Sequence, residues 1–211
     1  MTKAEAACRR CTLPAGFPNL RLNDKGLCQH CVAYLESKPK LILLKRELRE
    51  RFTRTLNAVR GKSDYDVLLC LSGGKDSCYA LKIFAQDLGL RTLAYTVDNG
   101  FLPPQAFENI RRMVHRLGAD HLCFKPDPHF INRLFSAALE SDDFTQKTIE
   151  RGSLVCASCI SIVKYSAIQT AVQKKIPLIG FGWTPGQSLL DAAFLQLNPM
   201  MLKSFQESAQ S

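Results

Sequence analysis

The sequence predicts an α/β fold: a doubly wound parallel sheet with helices on both faces, preceded by a small zinc-ribbon-like knuckle. Three observations predict it. Apolar runs bounded by polar residues recur at 67–71, 91–97, 121–124 and 177–181, each the length of a buried strand. Between them apolar residues recur at three- and four-residue steps, so strands alternate with helices. Ahead of the sheet, Cys8, Cys11, Cys28 and Cys31 form two C-x-x-C pairs about sixteen residues apart. The expected division is a four-cysteine knuckle over 1–37, a basic linker helix over 38–63, and the sheet domain over 64–211, with the C-terminal end of that domain short of a fifth strand.

Composition narrows the class. A chain of 211 residues with 46% hydrophobic and 22% charged residues can bury a core and is not disordered. Its net charge of +9 suits a polyanion such as RNA, and equally suits a protein that binds anionic small molecules. The N-terminus has no hydrophobic signal core, and no stretch is expected to reach the apolar length that crosses a bilayer, so no membrane is expected as a partner. Nine cysteines in such a chain point to metal or redox chemistry rather than disulfides, and to the cytoplasm.

The two N-terminal pairs match the spacing of a tetrahedral zinc site, and residues 13–26 between them read as a short hairpin closed by Asp24-Lys25-Gly26. Four thiolates close the coordination shell, which suits a structural ion; an iron–sulfur centre is the alternative. In the linker, Leu41, Leu44, Leu48, Phe52, Leu56 and Val59 form an apolar stripe, while Lys45, Arg46, Arg49, Arg51, Arg54 and Arg60 occupy the other face. That face reads as a solvated back or as a track for an RNA backbone.

Residues 66–81, DVLLCLSGGKDSCYAL, are the centre of the chain. An apolar run leads into Ser72-Gly73-Gly74-Lys75-Asp76-Ser77 and then into helical spacing. Two glycines let the backbone turn tightly, the helix start offers N–H groups and a favourable dipole, and Ser72, Ser77 and Lys75 add donors. This is a phosphate cradle, though its spacing is not that of a Walker A loop. Strand 91–97 ends in Asp98-Asn99-Gly100, a polar tip at the edge where open sheets bind ligands. Residues 104–117 and 130–140 read as helices, 141–152 as a polar connection, 160–172 as a helix opened by Cys156-Ala157-Ser158-Cys159, 182–187 as a loop, and 189–197 as helical. His115, His121 and His129 lack metal-like spacing and read as surface or packing residues.

The SGGKDS loop resembles the pyrophosphate loop of the N-type ATP pyrophosphatases, the PP-loop superfamily, whose fold is an adenine nucleotide α-hydrolase-like sheet. The resemblance implies cleavage of ATP to AMP and pyrophosphate, with AMP left on a substrate oxygen. It implies ATP at Ser72, Gly73, Gly74, Lys75, Asp76, Ser77, Asp98 and Asn99, with Mg2+ on the phosphates. The front of the chain, C-x-x-C-T-L-P through N-D-x-G-x-C-x-x-C, looks most like that of N-acetyl sugar amidotransferases and related ATPases; one group of tRNA 2-thiolation enzymes also opens with such a knuckle.

Cys156 and Cys159 divide these relatives. The pair, a helix, a strand and a glycine loop resemble the matching region of tRNA 2-thiolating enzymes, where such a pair serves a 4Fe-4S cluster or a persulfide relay. That family also supplies a third cysteine downstream and a G-H-x-x-D-D-like element; here no cysteine follows Cys159, and residues 180–186 read GFGWTPG. The resemblance therefore implies adenylation followed by sulfur transfer, plausibly to tRNA, with Lys75, Asp76, Cys156 and Cys159 catalytic and a sulfur donor as partner. The alternatives are nitrogen transfer fed by a glutaminase partner, and a non-catalytic ATP-binding module. The pair also reads as a zinc half-site completed by another chain, as in a homodimer, or as packed thiols.

Overall fold

The computed structural model describes residues 6–140 and 153–183. The expected 141–152 connection, the loop beyond Trp183 and the 189–197 helix lie outside the described residues. By contacts the chain divides into two compact units, Met1–Thr55 and Leu56–Ser211.

In the second unit, strands β1 (Val67–Cys70), β2 (Thr92–Val97), β3 (Asp120–Phe124) and β4 (Ile179–Phe181) form one parallel sheet in the order β3-β2-β1-β4. The strand side chains alternate between two cores. Leu68, Cys70, Leu93 and Tyr95 face Ala167 and Ala171 of a helix over Leu154–Gln173, together with Ile176. Leu69, Leu71 and Ala94 face the opposite way, towards Leu81 and Ile110. Period-two alternation with apolar residues on both faces is what a doubly wound sheet requires.

The helices follow from local signals. In chain order they are α1 (Gln29–Val59), α2 (Lys75–Leu81), α3 (Pro104–Leu117), α4 (Pro128–Glu140) and α5 (Leu154–Gln173), α2 running on into one π-helical turn over Lys82–Asp87. Pro104 opens α3, where its missing N–H costs nothing, and Gly118 at φ +59° closes it in the left-handed region. Ser153 caps α5 by accepting the N–H of Cys156 at 3.1 Å. On the amino-terminal side of the sheet, buried Asp66 accepts the N–H groups of Gly61 (2.7 Å) and Arg91 (2.9 Å) and pairs with the Arg91 guanidinium at 3.0 Å.

Two sequence expectations are corrected. The basic helix does not begin at Lys38: α1 starts at Gln29, because the carbonyl of Cys28 already accepts the N–H of Val32, and it passes through Pro39. The expectation that no stretch reaches bilayer length also fails, since the 20 residues of α5 are long and apolar enough by length and composition. Small polar residues interrupt its apolar run and hid it. α5 packs on α4, β1 and β4, with Ala167 and Ala171 buried, so its apolar character serves a layer beside the sheet.

Candidate active site and candidate metal centre

Strand order sets the position of the site. The chain steps from central β1 outward to β2 and β3, then returns to β4 on the other side of β1. The carboxyl ends of β1 and β4 therefore flank the switch point where such sheets bind ligands. Residues 72–77 leave β1 at that point, and Gly182 and Trp183 leave β4 beside them.

The turn after β1 is tightly determined. Gly73 has φ +76°, and a Cβ there would lie 2.3 Å from the carbonyl oxygen of Ala106, which no side chain tolerates. Asn109 of α3 donates from Nδ2 to the Gly73 carbonyl at 2.9 Å. Gly74 caps α2 without a side chain, its carbonyl accepting the N–H of Cys78. The Ser77 hydroxyl donates to the Gly74 carbonyl at 3.1 Å and accepts from the N–H and hydroxyl of Ser72, each at 3.2 Å. Gly182 seals the other side: a Cβ there would fall 2.7 Å from Cα of Ser77. Lys75 projects into solvent, its ammonium 2.7 Å from Oδ1 of Asp76. The closely packed turn thus presents one exposed cation and the carboxylate it pairs with.

The β2 tip is organised by its own side chains. Oδ1 of Asp98 accepts the N–H of Gly100 at 3.0 Å, while its Oδ2 lies 3.6 Å from the Lys125 ammonium. Oδ1 of Asn99 accepts the N–H of Phe101 at 3.0 Å, which turns its Nδ2 towards Cys159 Sγ at 3.2 Å. The sequence suggested Asn99 and Cys159 separately; the fold brings them into contact. Cys156, one turn earlier on α5, is exposed. Behind the tip, the buried Thr96 hydroxyl donates to the Leu71 carbonyl at 2.7 Å and meets His121 Nε2 at 2.9 Å. Burial lowers the His121 pKa, which favours the neutral ring and a packing role. The loop that opens at Gly182 is legible in the sequence, but Ala106 and Asn109 carry no signal there, because each matters only through a neighbour distant in the chain.

The N-terminal cysteines do converge. The sulfurs of Cys8, Cys11, Cys28 and Cys31 all lie within 4.8 Å of one another, with Cys8–Cys31 at 3.8 Å and Cys11–Cys28 at 3.6 Å. Tetrahedral metal–sulfur bonds of about 2.3 Å place their sulfurs about 3.8 Å apart, so the four thiols fit one ion. The Cys28 N–H donates to Cys8 Sγ at 3.3 Å, and Leu20, Leu22 and Leu27 pack around the sulfurs. Backbone N–H groups of Cys11 and Cys28 push the Cys8 thiol down, whereas burial and neighbouring sulfurs push Cys31 up. Asn23 shapes the intervening turn, its Oδ1 accepting the N–H groups of Lys25 and Leu27.

Cys156 and Cys159 do not form such a set. Among the described residues the knuckle is the one group of three or more His, Cys, Asp and Glu side chains able to hold a metal. Among the described residues Cys156 and Cys159 are joined by no third His, Cys, Asp or Glu side chain in such a group.

No protein-family model matches the chain. It is 28% identical over 144 residues to an uncharacterized protein of Methanocaldococcus jannaschii, a match over 68% of this chain and 46% of that protein. The chain thus spans about half the length of that relative. Among solved structures it is similar to an NH3-dependent NAD synthetase of Campylobacter jejuni, with 15% identity, TM-score 0.45, and 79% and 73% of the two chains covered. It is also similar to a U34-tRNA thiolase of Methanococcus maripaludis with its 4Fe-4S cluster, with 14% identity, TM-score 0.43, and 99% and 74% covered. The strand, glycine turn and helix that carry the motif are those that the resemblance implied.

Proposed function

We propose that the chain binds Mg-ATP at the turn after β1, splits it to AMP and pyrophosphate, and leaves AMP on a substrate oxygen. Ser72, Gly73, Gly74 and Ser77 surround the phosphates, with Asp98 and Asn99 on the adenosine side. The observation that carries this reading is the closed turn at the carboxyl end of β1. Gly73 packs on the Ala106 backbone and Gly182 on that of Ser77, which holds the loop and the start of α2 in place at the sheet edge where such folds bind phosphates. The substrate oxygen attacks the α-phosphorus while the bond to the β-phosphate oxygen breaks. Lys75 offsets the charge that builds on the departing pyrophosphate, and Asp76 exchanges its pairing with Lys75 for the phosphate-bound magnesium.

The second step in this proposal is sulfur transfer, plausibly to a tRNA base. A persulfide donor passes its outer, sulfane sulfur to the Cys159 thiolate and leaves as a thiol. The terminal sulfur of the resulting Cys159 persulfide attacks the activated carbon as AMP departs. The Cys156 thiolate then attacks Cys159 Sγ and breaks the S–S bond to release the thiolated product, and an external dithiol reduces the Cys156–Cys159 disulfide that remains. The contact between Asn99 and Cys159 supports this order, since it ties the proposed adenosine edge to the proposed sulfur carrier. Cys8, Cys11, Cys28 and Cys31 hold a structural zinc ion, which links the ends of the knuckle.

Nucleotide analysis tests the first step: AMP and pyrophosphate are expected, with loss in Lys75→Ala, whereas ADP alone would refute adenylation. Thiolated tRNA that disappears in Cys159→Ser supports sulfur transfer. Turnover that persists unchanged in Cys156→Ser/Cys159→Ser, and depends on ammonia, would replace it with nitrogen transfer.

A further inference from the structure

Charge is distributed unequally along this chain. Residues 1–55 hold twelve Lys and Arg against five Asp and Glu, a net +7 of the chain's +9, while the remaining 156 residues carry +2. That asymmetry is concentrated further on α1. At 100° per residue, Tyr34, Lys38, Lys45 and Arg49 fall within about 60° of arc, and Arg46 borders them. Glu36, Glu47 and Glu50 lie across the helix from this stripe, interleaved there with Lys40, Arg51 and Arg54, whereas the stripe itself contains no acidic residue.

The stripe is available to a partner. Lys38, Lys45 and Arg49 are exposed and form no ion pair with another described residue; Arg46 pairs at the surface with Glu50 at 3.2 Å. The knuckle extends it, because the Arg10 guanidinium sits over the half-exposed Tyr34 ring, 5.1 Å from its centroid. From Tyr34 to Arg49 the stripe runs about 22 Å at 1.5 Å per residue, the reach of several backbone phosphates.

We propose that this stripe (Arg10, Tyr34, Lys38, Lys45 and Arg49) binds the phosphate backbone of a folded RNA. Its function as an acceptor-binding surface rests on the sulfur-transfer reading above, although binding itself needs no turnover. Regularly spaced cations beside an aromatic ring match a polyanion whose bases can stack. A lipid surface is a poorer fit. The exposed apolar side chains beside the stripe are only Leu35 and Ile42, about 20° apart, with Leu43 about 100° further round than Ile42. That is too little to form an apolar face that enters a bilayer.

The experiment measures binding of fluorescein-labelled bulk tRNA to the zinc-loaded full chain from 50 to 300 mM KCl, without ATP. Lys38→Gln/Lys45→Gln/Arg49→Gln should weaken binding about tenfold or more at 150 mM KCl and make the log–log salt slope shallower by about two to three. Arg111→Gln/Arg112→Gln/Arg116→Gln on α3 removes the same charge and should have little effect. Zinc content and circular dichroism establish that both variants are folded. The proposal is overturned by a wild-type affinity and slope in the α1 variant, or by equal losses in both variants. It is also overturned if vesicles of equal phosphatidylserine and phosphatidylcholine bind as tightly as tRNA with the same sensitivity to the α1 changes. AMP release, measured separately, reports on adenylation whichever way RNA binding falls.

Discussion

Asn99 donates from Nδ2 to Cys159 Sγ at 3.2 Å, across sixty positions of sequence, and its other amide atom is held by the Phe101 N–H. The amide cannot rotate without breaking both contacts. The two thiols of the C-x-x-C pair are therefore unequal: one carries a fixed N–H donor, the other faces solvent.

An N–H donor stabilises negative charge on sulfur, so Asn99→Ala should slow alkylation of Cys159 several-fold, and Asn99→Asp more strongly because it places a carboxylate there. Cys156 should change little in either variant. Iodoacetamide labelling at fixed pH, read peptide by peptide by mass spectrometry, checks this. Equal changes at both cysteines would mean that the contact has no local chemical effect.

Gly73 and Gly100 offer a matched comparison of two glycines at positive φ. Gly100 has φ +84° with open space around it, whereas Gly73 at φ +76° abuts the Ala106 backbone. Gly100→Ala should cost only the left-handed backbone penalty, about 1–2 kcal/mol. Gly73→Ala adds a clash that requires α3 to shift, and should cost more and abolish ATP binding. Denaturant unfolding and nucleotide titration of the two variants separate these effects.

Much of this was legible in the sequence, and the limits have physical causes. The runs at 67–71 and 91–97 become buried central strands, and the glycine turn stands where the strand ends, because burial, strand length and turn residues all agree locally. The apolar positions Leu41, Leu44, Leu48, Phe52, Leu56 and Val59 are the less exposed face of α1. The cysteine spacing gave the clustered sulfurs, since knuckle geometry is short-range. Contacts between distant elements, such as Ala106 on Gly73 and Asn99 on Cys159, have no local signature in the sequence. The start of α1 is hidden in the sequence because Cys31 carries a ligand signal while also belonging to the first helical turn.

Asp66 makes stability fall in acid. Burial alone would raise its pKa, but the Arg91 guanidinium and the N–H groups of Gly61 and Arg91 outweigh that, holding it at about 2 against an ordinary 3.8. A carboxyl depressed in the folded state stabilises above its unfolded pKa and loses that contribution as pH falls through the folded value. Between about pH 5 and pH 2 the protein should lose about 2 kcal/mol through this residue. In Asp66→Asn, less stable at neutral pH, that portion of the pH dependence should be absent, so the two unfolding curves converge on acidification. Parallel curves over this range would place the acid sensitivity elsewhere.

The knuckle depends on its ion more than on its core. Residues 6–28 contain isolated bridges, Ala7 with Pro14 and Leu22 with Cys28, rather than a sheet, and three leucines around the sulfurs are too little apolar surface to fix so short a segment. One zinc per chain is expected, with Cys8, Cys11, Cys28 and Cys31 as ligands. Cys28→Ala should lower zinc content well below one per chain and open the segment to protease. Cys156→Ala should leave zinc content unchanged. Chelation of the wild-type protein should reproduce the Cys28→Ala cleavage pattern, because an empty set of four crowded thiols repels itself as soon as more than one ionises. Full zinc content in Cys28→Ala, or zinc lost on mutation of Cys156, would move the metal centre away from the knuckle.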